Sequence, residues 1–217
     1  MKPALAVLLA AVSFSGVTRA ADLVPLVTEL PSAILIGTPV PIKVDNLETA
    51  VGAVPFLVPK TATNLALKRP VTSSDPAPLL GDYDLVTDGD KDSAEGCYVE
   101  LASGIQWVQI DLGKTAEINA VYVWRFHSQQ RVYLGVVVQI SDDPDFISGV
   151  TTIYNNDVKN LSGRGAGKDK SYIETNLGRL LDAKGTKGRY VRLYSNGSSS
   201  NPASHYIEVE VWGTPAP

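Results

Sequence analysis

Residues 106–113, QWVQIDLG, place Val108, Ile110 and Leu112 on one side of an extended chain and Gln109 and Asp111 on the other. That is the period-two pattern of a strand with one face buried. An almost wholly apolar run follows at 118–124, and in 189–194, RYVRLY, Val191 and Leu193 alternate with Arg192. Near the C-terminus Ile207, Val209 and Val211 point inward while Glu208 and Glu210 point outward. Turn-forming clusters at 73–76, 87–90, 141–144 and 195–200 separate these runs. Helical pattern is scarce, with 177–183 alone suited to a turn or two. The pattern predicts an all-β domain over 61–214 in which two antiparallel sheets enclose one apolar interior.

Upstream the pattern changes. Between 21 and 60 prolines recur at Pro25, Pro31, Pro39, Pro41, Pro55 and Pro59. Proline cannot donate to a ladder, so only edge or extended structure fits. Short strands at 33–37 and 40–44 are compatible with that. The segment reads as a proline-rich extended arm that either packs on the main domain or docks a neighbouring protein. Residues 1–20 differ again, with Lys2 ahead of an apolar stretch at 4–12 and Thr18-Arg19-Ala20 at the end. This is the pattern of a cleaved secretory signal peptide, which predicts a secreted or periplasmic protein. Its apolar run is about half the ~20 residues that span a bilayer, and no later segment comes closer, so no membrane span is expected after cleavage.

Composition narrows the function. With 44% hydrophobic and 19% charged residues the chain is globular in character. A net charge of −4 does not supply the basic face that phosphate neutralisation needs, so no nucleic-acid partner is expected. Cys97 is the only cysteine, which rules out an intrachain disulfide and leaves a small apolar filler. His127 and His205 belong to no metal-hydrolase or nucleophile-elbow motif. Asp142 and Asp143 are adjacent and would face opposite sides of a strand, a poor geometry for paired acid and base work. Catalysis is therefore not expected.

Six segments then occur in a telling order: NLALKRPVTSS at 64–74, VTDGD at 86–90, WVQIDLG at 107–113, VVVQISDDPDF at 136–146, GRYVRLY at 188–194 and IEVEVWG at 207–213. Together they resemble the discoidin, or factor five/eight type C, family, whose bacterial members are grouped with carbohydrate-binding module family thirty-two. The resemblance covers about residues 61–214. It implies an eight-stranded jelly-roll β-sandwich of the galactose-binding-like type, and a binding role rather than catalysis. The sequence departs from the family in two places, the second of which favours a bacterial-type module. The stretch 93–98 lacks the tryptophan usual after the DG pair, and the disulfide of animal members cannot form.

The acidic turn carries the clearest candidate chemistry. Calcium seeks six to eight oxygens, and a turn bearing Asp88, Gly89, Asp90 and Ser93 can gather several around one point. The resemblance implies a structural calcium built by this turn and by a glutamate five residues before the closing Gly213, which is Glu208. The competing reading is a plain turn in which Asp88 bonds its own backbone and Glu208 faces solvent.

Ligand recognition falls to the loop 126–133, FHSQQRVY. Sugars are held by an aromatic against the apolar face of the ring and by planar or charged donors to the hydroxyls. Phe126 or Tyr133 could stack, His127 and Arg131 could donate, and Gln129 could bridge. This assignment rests on side-chain chemistry alone. Arg131 pairing with Asp142 or Asp143, and His127 capping the loop, are the structural alternatives. Asn196, Asn201 and His205 in the next polar loop are weaker candidates, and the glycine-rich loop 155–170 is a third. Two functions survive: an exported, calcium-stabilised module that binds carbohydrate or glycoconjugate, or an assembly module whose arm engages an envelope protein.

Overall fold

The computed structural model describes residues 22–48 and 55–216. The expected signal peptide at 1–20 lies outside them. The described strands are β1 (Leu23–Pro25), β2 (Leu57–Pro59), β3 (Thr63–Asn64), β4 (Val71–Ser73), β5 (Val99–Leu101), β6 (Gln106–Trp124), β7 (Val137–Ser141), β8 (Thr151–Asn155), β9 (Arg179–Ser195), β10 (Ser204–Tyr206) and β11 (Glu208–Pro215). The one helical element among the described residues is a 3-10 turn, Tyr83–Thr87. The chain is all-β, as the alternation predicts. Its strands outnumber the expected eight because the arm contributes β1 and short edge strands are added.

The long strands β6 and β9 organise everything else. They pair antiparallel along their length, and their register shifts between Asp111 and Ala116 and again between Ile118 and Ala120. The first half of β6 also carries β4, and the second half carries β11. β7 and β8 extend the sheet beyond β9, giving the order β3-β11-β6-β9-β7-β8. Bulges of this kind bend a strand and let one ladder wrap around a core. Val108, Ile110, Val121, Val138, Leu181, Val191, Leu193, Val209 and Val211 accordingly meet in a single apolar interior. β5 and β10 form a separate two-stranded ribbon.

Two expected elements are absent. Residues 177–183 make no helical turn, because Gly178 sits at φ +65 and β9 begins at Arg179. The stretches 33–37 and 40–44 form no strands either. The arm does contribute β1, which pairs with β2 so that Leu23 faces Pro59 and Pro25 faces Leu57. The chain therefore leaves this hairpin and comes back to it.

Between those points the described arm residues pack on the sandwich as a strap. Thr28 Oγ1 donates to Glu210 Oε1 at 2.8 Å, and Lys91 Nζ reaches the same oxygen at 2.7 Å. Asn176 Nδ2 donates to Pro31 O, and Ile36 N donates to Ser128 O. Asn46 Nδ2 donates to Lys168 O and Asp169 O, and Arg179 pairs with Glu48 at 2.6 Å. Polar contacts dominate because the strap's prolines leave few backbone donors for a ladder.

Candidate functional site

The loop 126–133 begins where β6 ends, at Trp124. Its direction is fixed by three groups. Ser93 Oγ accepts from both His127 N and Ser128 N, and Glu174 N donates to Arg131 O. A bridge joins Tyr133 to Ser198. The loop is thus clamped on both sides. It is not the open, polar excursion its composition suggests.

The five expected ligand residues divide accordingly. Gln129 is exposed and Phe126 is half-buried, whereas His127, Arg131 and Tyr133 are buried. Arg131 stacks its guanidinium 4.3 Å from the Phe126 ring and donates from Nη2 to Gln129 Oε1 at 2.7 Å. It makes no pair with Asp142 or Asp143: Asp142 accepts from Thr115, and Asp143 caps its own turn. His127 turns elsewhere, with Nε2 3.0 Å from Lys91 O. Tyr133 packs inward against His205 and Arg125, and burial pushes its phenol above the usual range. His127 and Arg131 therefore diverge, and Tyr133 cannot stack on a ligand.

A different set converges. Tyr98 meets Phe126 edge to face at 5.1 Å between centroids, and His205 lies 5.6 Å from each of them. His205 arrives on β10, which pairs with β5 so that it faces Glu100. Burial, then the charges of Arg131 and Arg125, depress the His205 imidazole to about 4. It is neutral at ordinary pH, so its 3.8 Å approach to Glu100 Oε2 is neither an ion pair nor a hydrogen bond. The result is an aromatic face of Tyr98 and Phe126, both half-buried, rimmed by Gln129 and Glu100 and backed by Arg131 and His205. Tyr98 and Glu100 were not singled out from sequence. The one available cue is that Tyr98 closes the 93–98 stretch in which the family's usual tryptophan is missing.

The acidic turn follows the 3-10 element and ends beneath β11. Asp88 Oδ1 accepts from Asp90 N, Asp90 Oδ1 accepts from Asp92 N, and Gly89 N donates to Glu208 Oε2 at 3.0 Å. Glu208 does alternate with the core residue Val209, but it is fully buried under the turn, and it does not face solvent. Its other oxygen, Oε1, has no partner. Burial raises its carboxyl to about 8, with the Gly89 hydrogen bond opposing and Glu210 and Asp88 reinforcing. Ser93 does not fit the expected role, because its hydroxyl is committed to Ser128 and His127. Among the described residues no three His, Cys, Asp or Glu side chains form a group able to hold a metal. Any cation here would draw most of its oxygens from main-chain carbonyls and solvent.

Comparison with known proteins agrees with this architecture. The sequence model of the F5/8 type C domain matches residues 70–209. No curated protein matches the chain. A Clostridium perfringens family 89 glycoside hydrolase, solved in complex with GlcNAc-α-1,4-galactose, is similar at 17% identity and a TM-score of 0.51, covering 70% of this chain and 15% of that one. A truncated AlyQ with CBM32 and alginate lyase domains is similar at 19% identity and a TM-score of 0.51, covering 72% of this chain and 34% of that one. The chain thus spans a minor part of these two proteins, and the likeness is one of fold.

Proposed function

Since the chain belongs to the F5/8 type C (discoidin) family, we propose that it is an exported, non-catalytic module that binds carbohydrate through the Tyr98–Phe126 face. The supporting observation is the convergence of two half-exposed rings with Gln129 and Glu100, held from behind by Arg131 and His205. Ring C–H groups of a sugar pack on such a face, while the amide and carboxylate at its rim meet hydroxyls. Arg131 positions Phe126 and Gln129 and does not itself reach the ligand. The binding unit is the 61–214 segment, and 1–20 directs export. Binding to an array of bacterial, plant and animal glycans tests this. Tyr98→Ala and Phe126→Ala should each weaken capture at least tenfold, with Gln129→Ala intermediate. An array on which the folded protein binds nothing refutes the proposal.

A structural calcium belongs to the same reading. The unpartnered, buried Glu208 Oε1 beside Asp88 is what a bound cation would satisfy. Asp88 and Glu208 would hold it with carbonyls of the turn, Asp90 contributing from the exposed side and Ser93 taking no part. Calcium would supply no chemistry beyond fixing the turn.

The alternative role in envelope assembly draws on the strap. Ile34, Leu35, Ile36 and Val40 are each at least 46% exposed, and residues 30–42 carry no charge. Co-purification of a partner that is lost with the Ile34→Ser, Ile36→Ser double variant, together with a blank glycan array, would favour that role.

A further inference from the structure

The strap crosses the sandwich where the loop 126–133 emerges. It is tied down at Pro31, whose carbonyl accepts from Asn176, and again at Asn46, which donates to Lys168 O and Asp169 O. Between those ties, among the described residues, one hydrogen bond joins strap residues 32–45 to the domain: Ile36 N donates to Ser128 O at 2.6 Å. Apolar burial does not explain why the strap touches down there, since Ile34, Leu35 and Ile36 all remain exposed.

The place of contact matters. Ser128 lies between Phe126 and Gln129, the two residues of this loop that belong to the carbohydrate face. The backbones of Phe126 and Gln129 make no hydrogen bonds of their own among the described residues. Their position is inherited from His127 and Ser128, and these borrow every anchor from distant parts of the chain. His127 N and Ser128 N both donate to Ser93 Oγ at 3.1 Å, and Ser93 Oγ lies 3.2 Å from Ser128 Oγ. His127 Nε2 is 3.0 Å from Lys91 O. The segment 91–93 therefore holds the loop from one side and Ile36 holds it from the other. Ser93 and Ser128 are buried, so these bonds are sheltered from competing water.

We infer that the strap is a positioning element of the carbohydrate face: Ile36, with Ser93, fixes Ser128 and so sets the backbone that carries Phe126 and Gln129. A binding constellation needs such support, because its side chains lose their fit when the backbone beneath them is loose. Ile36 and Ser93 act through Ser128, and both are positioning residues. Coupling of this kind is reciprocal: whatever displaces Ile36 from Ser128 weakens sugar capture, and a bound sugar seats the strap. The effect on capture rests on the carbohydrate reading of the Tyr98–Phe126 face, whereas the bracing of the loop does not.

Three variants of the whole protein test the inference. Ile36→Pro deletes the donor. Ser93→Ala removes the acceptor shared by two buried N–H groups. Ile34→Pro places a proline in the strap where no hydrogen bond to the domain is lost. Each is read by thermal midpoint, by amide hydrogen exchange of the unliganded protein over 126–133, and by capture on the glycan array. Ile36→Pro should keep the wild-type midpoint, speed exchange over 126–133 by about three- to tenfold and weaken capture by a similar factor, as loss of one hydrogen bond implies. Ser93→Ala should exceed it in both, and Ile34→Pro should match wild type throughout. Unchanged exchange in Ile36→Pro, faster exchange with wild-type capture, or equal effects of the two prolines would overturn the inference. If wild-type protein captures nothing on the array, the carbohydrate reading fails by itself, and exchange alone then decides whether the strap braces the loop.

Discussion

Trp124 and Gly178 show how much one residue can settle. Trp124 is fully buried at the end of β6, and its indole N–H donates to Asn176 O at 3.0 Å. Gly178, at φ +65, lies so close that an added Cβ would sit 2.6 Å from the indole Cε2. Alanine there meets both a left-handed backbone and a rigid ring. Gly178→Ala should cost about 2–4 kcal/mol in urea unfolding. Glu208 makes the complementary point about reading residues from sequence. Alternation with Val209 assigns its side of the strand correctly, but side is not exposure: the Asp88–Gly89 turn covers that face, and turns leave no periodic trace. Arg192 repeats the lesson. It alternates with core residues as expected, yet it is buried between Trp107 and Phe146 and donates to Gln109.

At the scale of elements, the strap and the loop it crosses are where sequence and structure part. FHSQQRVY is polar enough to belong in water, yet Lys91 and Ser93, some 35 residues earlier, and the strap, some 90 residues earlier, enclose its His127. No local pattern encodes such a contact. The strands were legible because pairing partners impose period two, whereas 177–183 reads as a weak helix only when the positive φ of Gly178 is unknown. The ion pairs that the strap touches should differ sharply in strength. Lys91 and Glu210 are 8% and 6% exposed, so Lys91→Ala strands a buried carboxylate and should cost about 3–5 kcal/mol. Glu48→Ala breaks a pair more open to solvent and should cost about 1 kcal/mol or less. Chemical denaturation of the two variants gives the comparison, and similar losses would mean that the buried pair is compensated elsewhere.

For the whole molecule, the buried carboxyls set how stability varies with pH. Glu174 and Glu208 hold protons to about 8 in the folded chain, against an ordinary 4.5. The folded state therefore binds more protons across that window, and both groups make it less stable as pH rises from 4.5 to 8. His205, depressed to about 4, acts oppositely between 4 and 6.5. The unopposed region is 6.5 to 8, where thermal midpoints of calcium-free protein should fall. Added calcium should raise the midpoint more at pH 8 than at pH 5, because only there does Glu208 carry an uncompensated charge. A calcium effect of equal size at both values, or none, would separate Glu208 from any cation.

The β1–β2 pairing has one more consequence. With Lys60 N donating to Asp22 O, the strap is a flap whose two ends share a single hinge. Loss of any one of its contacts to Ser128, Asn176 or Glu210 would leave that hinge intact, so the strap would return to its place at an effective concentration on the order of millimolar.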